Sequence, residues 1–249
     1  MTLWRLEWLR LVRTRRLIAI LAVYLFFGIT GPFTVRYLGE ILGRAGTGRI
    51  KFELPPPVPA DGIAQFVGNA SQIGLLVVVL VSASALAFDA RREMAIFLRT
   101  RVDSVGRILV PALSVNAVAA VVGYLLGAAA AWYETAVLIG GPPVGRMVVG
   151  IAYGVLFLVF AIAAVAAIAS VVRGTVAAAG VTLVALLLMA VLGNLGWLGH
   201  WLPTGLAGAL AAVVGEADPV DYLPAVGVTA VLTGLLVWFA TVIGSRREL

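Results

Sequence analysis

Among its 249 residues the chain has no cysteine, a single histidine, His200, and a single lysine, Lys51. Without cysteine there is no disulfide framework, no thiolate metal site and no thiol nucleophile. With one histidine, zinc-protease ligation is excluded, and a serine nucleophile has only His200 available as its base. No G-x-x-x-x-G-K-[ST] run occurs, so the chain does not hydrolyse ATP by a P-loop mechanism. Charge is scarce as well: 12% of residues are Asp, Glu, Lys or Arg, about half the share of a soluble domain. A soluble fold of this length needs polar side chains to cover its outside, and they are missing.

What fills the chain instead is hydrocarbon. Hydrophobic residues make up 62% and the mean hydropathy is +1.07. They gather into six apolar segments, 17–35, 70–88, 108–133, 147–172, 174–199 and 222–244. Each suffices to cross, because a helix needs about 20 residues for a ~30 Å hydrocarbon core. A lipid-exposed span must be helical, since no water is there to satisfy its backbone, and the period-2 alternation of barrel strands is absent. The reading is an all-α membrane protein forming one transmembrane domain, 1–249.

Arginine placement predicts orientation. With the N-terminus in the cytoplasm, thirteen Lys and Arg fall inside and five outside. That bias puts both termini in the cytoplasm. The basic region before the first span is not expected to be a signal peptide, because no small-x-small site closes the run and "GPF" follows at Gly31–Phe33. Between the first two spans, "LPPPVPADG" predicts an extended, non-helical outer loop. The net charge of +6 could serve nucleic acid, but the arginines flank apolar runs, where anionic headgroups and acidic protein surfaces are the usual partners. Nucleic acid is therefore not expected.

The span interiors are nearly free of ionisable groups, which disfavours an ion pump, a secondary transporter or an intramembrane enzyme. Their polar residues, Ser82, Ser84, Asn116, Ser170, Thr182 and Asn194, are expected to hydrogen-bond between helices. His200, flanked by Trp197 and Trp201, reads as part of an aromatic belt. No metal site or bound cofactor is expected on this chain.

The densest charge lies in "FDARREMAIFLRTRVDS", Phe88 to Ser104, between the second and third spans. Ala90 to Arg101 has no Gly or Pro and predicts a short helix. On it Ala90, Met94, Phe97 and Arg101 share one face, and Arg92, Ile96 and Arg99 another. An apolar knob ringed by guanidinium groups suits docking to a protein groove with carboxylates at its rim. A solvated loop that only fixes topology is the plainer alternative.

This stretch resembles the cytoplasmic loop between the second and third spans of type-2 ABC transporter permeases. In that family a charged cluster leads into an apolar helix and then a "T-[PR]-V-x-S"-like turn; "ARRE", "MAIFL" and "TRVDS" stand in those places, with Arg101 where many members carry proline. "LWRLEWLRLVRTRR", Leu3 to Arg16, resembles the family's cytoplasmic elbow helix, with Glu7 at its usual acidic position and Trp4, Trp8, Leu11 and Val12 forming an apolar arc. "WLPTGLAGALAAVVG", Trp201 to Gly215, resembles the outer re-entrant hairpin, which the resemblance extends over 200–221.

The resemblance implies a permease subunit of a bacterial ABC exporter in the cytoplasmic membrane. Two permease copies, identical or homologous, would pair above a separate ATPase that binds ATP and Mg. It implies a coupling role for Arg91, Arg92, Glu93, Met94, Phe97, Arg99 and Arg101 in the loop 89–107. It also turns the second and fifth spans toward a shared cavity, making Ser82, Ser84, Ala177 and Gly180 candidate substrate-path residues whose plainer role is helix packing. A cavity without charges favours a hydrophobic or amphipathic cargo, such as a drug, antibiotic or lipid. The rivals are a membrane anchor or signalling scaffold that moves nothing, and a lipid-modifying or protease-like intramembrane enzyme.

Overall fold

A computed structural model of the chain describes residues 3–45, 55–86 and 106–246. Among these the structure is helical, with no strand. Six helices are long and apolar enough to cross a membrane, so the chain is a multi-pass membrane protein.

Helix α1, Leu3–Arg13, ends where Thr14 bonds back to the Arg10 carbonyl and Arg15 takes a φ of 59°. Left-handed backbone is costly for arginine, and here it breaks the helix before α2, Arg16–Ala45. Contrary to the sequence reading, α2 does not stop near residue 35. It runs through Pro32 for 30 residues, about 45 Å at ~1.5 Å per residue. Membrane helices accommodate an interior proline.

The proline-rich segment is extended only to Val58. Pro59 occupies the first turn of α3, Pro59–Asn69, where its missing N–H costs nothing. The Asp61 carboxylate accepts from the Val58 N–H at 2.9 Å, offsetting an orphan donor at the helix start. The second span therefore begins at Pro59, not at residue 70. It is also not one helix: a π-helical turn, Ala70–Gly74, joins α3 to α4, Leu75–Leu86.

Helix α5, Gly106–Leu138, and α6, Val144–Ala169, form a hairpin around Gly140–Pro143. The fifth span, α7, covers Thr175–Leu192 and is shorter than the predicted 174–199. Past Gly193 the chain turns, with Gly196 at a φ of 40°. A ten-residue helix α8, Gly205–Val214, is too short to cross; α9, Leu223–Arg246, is the last span.

Helix α6 is the hub, packed on α4, α5, α7, α8 and α9, while α2 and α5 form the most extensive pair. In lipid the hydrophobic effect does not draw helices together, so close approach depends on small residues. On α5, Ile20 lies over Gly123 and Tyr24 over Gly127, where an added Cβ would come within 2.7 Å and 2.6 Å of α2 atoms. On α6, Gly150 lies 2.7 Å, by the same measure, from the Cα of Leu210, which seats α8. Leu206, Ala209, Leu210, Val213 and Val214 are buried along that helix.

Candidate functional site

Three places carry the candidate chemistry. The first, the charged stretch with Arg91, Arg92, Glu93, Met94, Phe97, Arg99 and Arg101, lies outside the described residues. Its flanks are described: α4 ends at Leu86 and α5 begins at Gly106.

The second is α1, which packs on α5 and α2. Its predicted apolar arc divides. Trp4, Trp8 and Val12 are exposed in an i, i+4, i+8 stripe, but Leu11 is buried. Glu7 is only 8% exposed and lies 3.7 Å from Arg10. Burial pushes the Glu7 carboxyl above the usual glutamate range, and the positive charges of Arg10 and Arg16 pull the other way.

The third is the middle of the bundle. Both halves of the second span touch α2 and α5, but their main neighbours differ. α3 packs on α2 and α8, whereas α4 packs on α6 and α7. The second and fifth spans are thus in direct contact. Of the four proposed path residues, Ser82 is buried in α4 and Ser84 is half-buried, bonding its own helix at Val81. Ala177 and Gly180 sit on the exposed face of α7, and no atom approaches Gly180. Ser82 thus lies inside the bundle, whereas Ala177 and Gly180 lie on the outward face of α7.

The polar residues expected to bond between helices mostly bond within them. Asn116 donates to the Ala112 carbonyl at 2.8 Å, Thr182 to Ala178 at 2.7 Å, Ser170 to Ala167 at 2.6 Å and Asn194 to Ala190 at 3.3 Å. Back-bonding to the preceding turn is available to any short polar side chain on a helix, and it needs no partner helix. The bonds that do cross elements come from other residues. Tyr153 donates to the Pro219 carbonyl at 2.9 Å, and Ser71 reaches Ala207 at 3.4 Å.

Sequence reasoning missed Tyr24 and Tyr124. Their rings meet edge to face with centroids 5.8 Å apart, and Phe66 stacks on Tyr124 at 6.0 Å. Both tyrosines are buried beside the π-helical turn. The spacing Gly123-x-x-x-Gly127 around Tyr124 was the available signal, since such pairs mark close helix crossings.

An open cleft of ≈ 650 Å³ lies between α2 and α3, lined by Arg36, Glu40, Asp61, Gln65 and Pro55–Pro57. It carries both signs of charge, in contrast to the bundle interior. Within the described spans the buried polar side chains are all uncharged: Ser82, Asn116, Thr135, Thr182 and Thr229, besides the tyrosines. His200 is exposed beside Trp197 and Trp201, which are 77% and 51% exposed. No cluster of three or more His, Asp or Glu occurs among the described residues. No family model, curated protein or solved structure matches this chain.

Proposed function

We propose that the chain is the permease subunit of an ATP-driven exporter of the type-2 ABC class, in the cytoplasmic membrane of a bacterium. Both termini face the cytoplasm. α1 is the elbow helix at the inner interface, Ala90 to Arg101 the coupling helix, and 200–221 an outer re-entrant segment carrying α8. ATP and Mg belong to a separate cytoplasmic ATPase, and two permease copies pair to enclose the path.

The observation that carries this reading is the division of the second span. Its α4 half leads into the charged stretch and packs on α6 and α7; its α3 half is held by α2 and α8. The π-helical turn between them is a junction at which one half can tilt while the other stays seated. ATP-driven closure of the ATPase pair would push on the charged stretch and move α4 against α7, changing access to the path. Ala177 and Gly180, exposed on α7, would face that path or the second copy. The uncharged interior supports an apolar or amphipathic cargo, because an ionic one needs compensating groups near the midplane.

Affinity capture of the full chain from its own detergent-solubilised membranes tests this. Wild type is compared with Phe97→Asp plus Arg99→Glu. The expected result is an ATPase subunit recovered with wild type and lost with the variant. If neither recovers an ATPase, the permease reading fails and a scaffold role takes its place.

A further inference from the structure

Three hydroxyl-bearing residues from three elements meet beside the π-helical turn. Tyr24 of α2, Ser71 of the turn and Tyr124 of α5 line one small cavity of ≈ 20 Å³, together with Gly154 and Phe157 of α6 and Ala207 of α8. Tyr24 is 1% exposed, and its hydroxyl finds no hydrogen-bond partner among the described residues. Among the described residues Ser71 has only the long 3.4 Å contact to the Ala207 carbonyl. Both tyrosines pack closely against glycines of neighbouring elements. A Cβ added at Gly74 would come within 2.8 Å of the Tyr24 ring, and one added at Gly154 would collide with the Tyr124 hydroxyl. The edge-to-face pairing of the two rings fixes them from the other side.

A hydroxyl left unpaired in hydrocarbon is strongly disfavoured. Cavities that stay dry are apolar, whereas a polar one with room of about 10–15 Å³ or more and two to four partners takes up water. Both conditions are met here.

We propose that this cavity binds one water molecule, held by the hydroxyls of Tyr24 and Ser71 with Tyr124 and the Ala207 carbonyl within its shell. The water joins the turn of the second span to α2, α5 and α8. It keeps Ala70–Gly74 in its π register by supplying partners that a continuous α-helix would not need. The space excludes anything larger, such as a lipid headgroup or cargo. The site does not depend on the transport reading.

The test uses the full chain in detergent. A crystal structure at a resolution showing ordered solvent should place one density peak within hydrogen-bond distance of the Tyr24 Oη and Ser71 Oγ. The peak should be lost in Tyr24→Phe. In thermal unfolding, Tyr24→Phe and Ser71→Ala should each lower the midpoint, and the double variant should melt no lower than the worse single, since both hold the same molecule. An empty cavity, or a Tyr24 hydroxyl bonded directly to a backbone carbonyl, would overturn the proposal, as would additive midpoint losses. Should the variants fail to fold, the wild-type density decides alone.

Discussion

The fourth and sixth spans are near twins in sequence terms. Val144–Ala169, which is α6, and Pro219–Gly244, which covers most of α9, each have 26 residues, and their most apolar 18-residue stretches have mean hydropathies of 2.7 and 2.2, yet 61% of the first stretch is buried and 11% of the second. Glycine contacts separate them. In α6, Gly150 meets the backbone of Leu210 and Gly154 meets Tyr124, while in α9 nothing approaches Gly227 or Gly234 within 4 Å. Lipid is as apolar as leucine, so hydropathy places a helix in the membrane without saying what it touches. Contact is decided by where a side chain is absent.

The strongest way to break this contrast is Gly150→Leu. The new side chain must displace the Cα of Leu210, not merely a rotamer, and so lifts α8 off the hub. Overpacking of this kind costs up to about 3 kcal/mol, read as a lowered unfolding midpoint in detergent. The matched change on α9, Gly234→Leu, should leave the single chain's midpoint nearly unchanged. An equal loss there would break the contrast, because the face of α9 around Gly234 would then be packed within the chain itself.

Gly154→Ala is milder, because the obstacle is the far end of one side chain. The Tyr124 ring must shift against Tyr24 and Phe66, which hold it. A loss of about 1–2 kcal/mol is expected. Tyr124→Phe, by deleting the colliding oxygen, should recover part of it in the double variant. Additive losses would place the strain elsewhere.

Composition and run length made the six spans legible, because the bilayer imposes both. Their ends were harder to read. Pro32 and Pro59 are the same residue type, yet one sits inside a helix and the other opens one. The difference rests on Asp61, which caps the start of α3, and on a membrane's tolerance of an interior proline. Gly123 and Gly127 spelled out one close crossing, of α5 on α2, by their four-residue spacing, whereas Gly150 and Gly154, at the same spacing, meet two different helices, α8 and α5. The π-helical turn had no signature: "ASQIG" reads as ordinary helix, and the Tyr24–Tyr124 pair beside it comes from two other helices. Likewise, Asn116 and Thr182 looked like interhelical partners because sequence shows polarity but not which carbonyl lies nearest.

Helix α1 repeats the contrast within one element, with Trp4 and Trp8 exposed and Glu7 buried against its neighbours. Burial raises the Glu7 pKa, so the folded chain holds its proton more tightly than the unfolded chain does. Stability should therefore fall as pH rises from the ordinary glutamate value near 4.5 through the raised one, by less than about 1 kcal/mol. Glu7→Gln removes a charge that must be desolvated and should flatten this slope, measured as unfolding midpoint against pH. A slope unchanged in the variant would assign the pH dependence to another group.

The smallest effect carries the opposite sign. At Gly234 the helix bears the backbone entropy cost of glycine without the close approach that justifies it in α6. Gly234→Ala should therefore stabilise the single chain by about 0.5 kcal/mol, a small rise in midpoint that Gly154→Ala cannot show. A fall instead, seen in native membranes but not in detergent, would mean that a neighbouring chain comes as close to Gly234 as Tyr124 comes to Gly154. The sixth span would then be an interface whose partner lies outside the single chain, and the two spans would differ only in where that partner comes from.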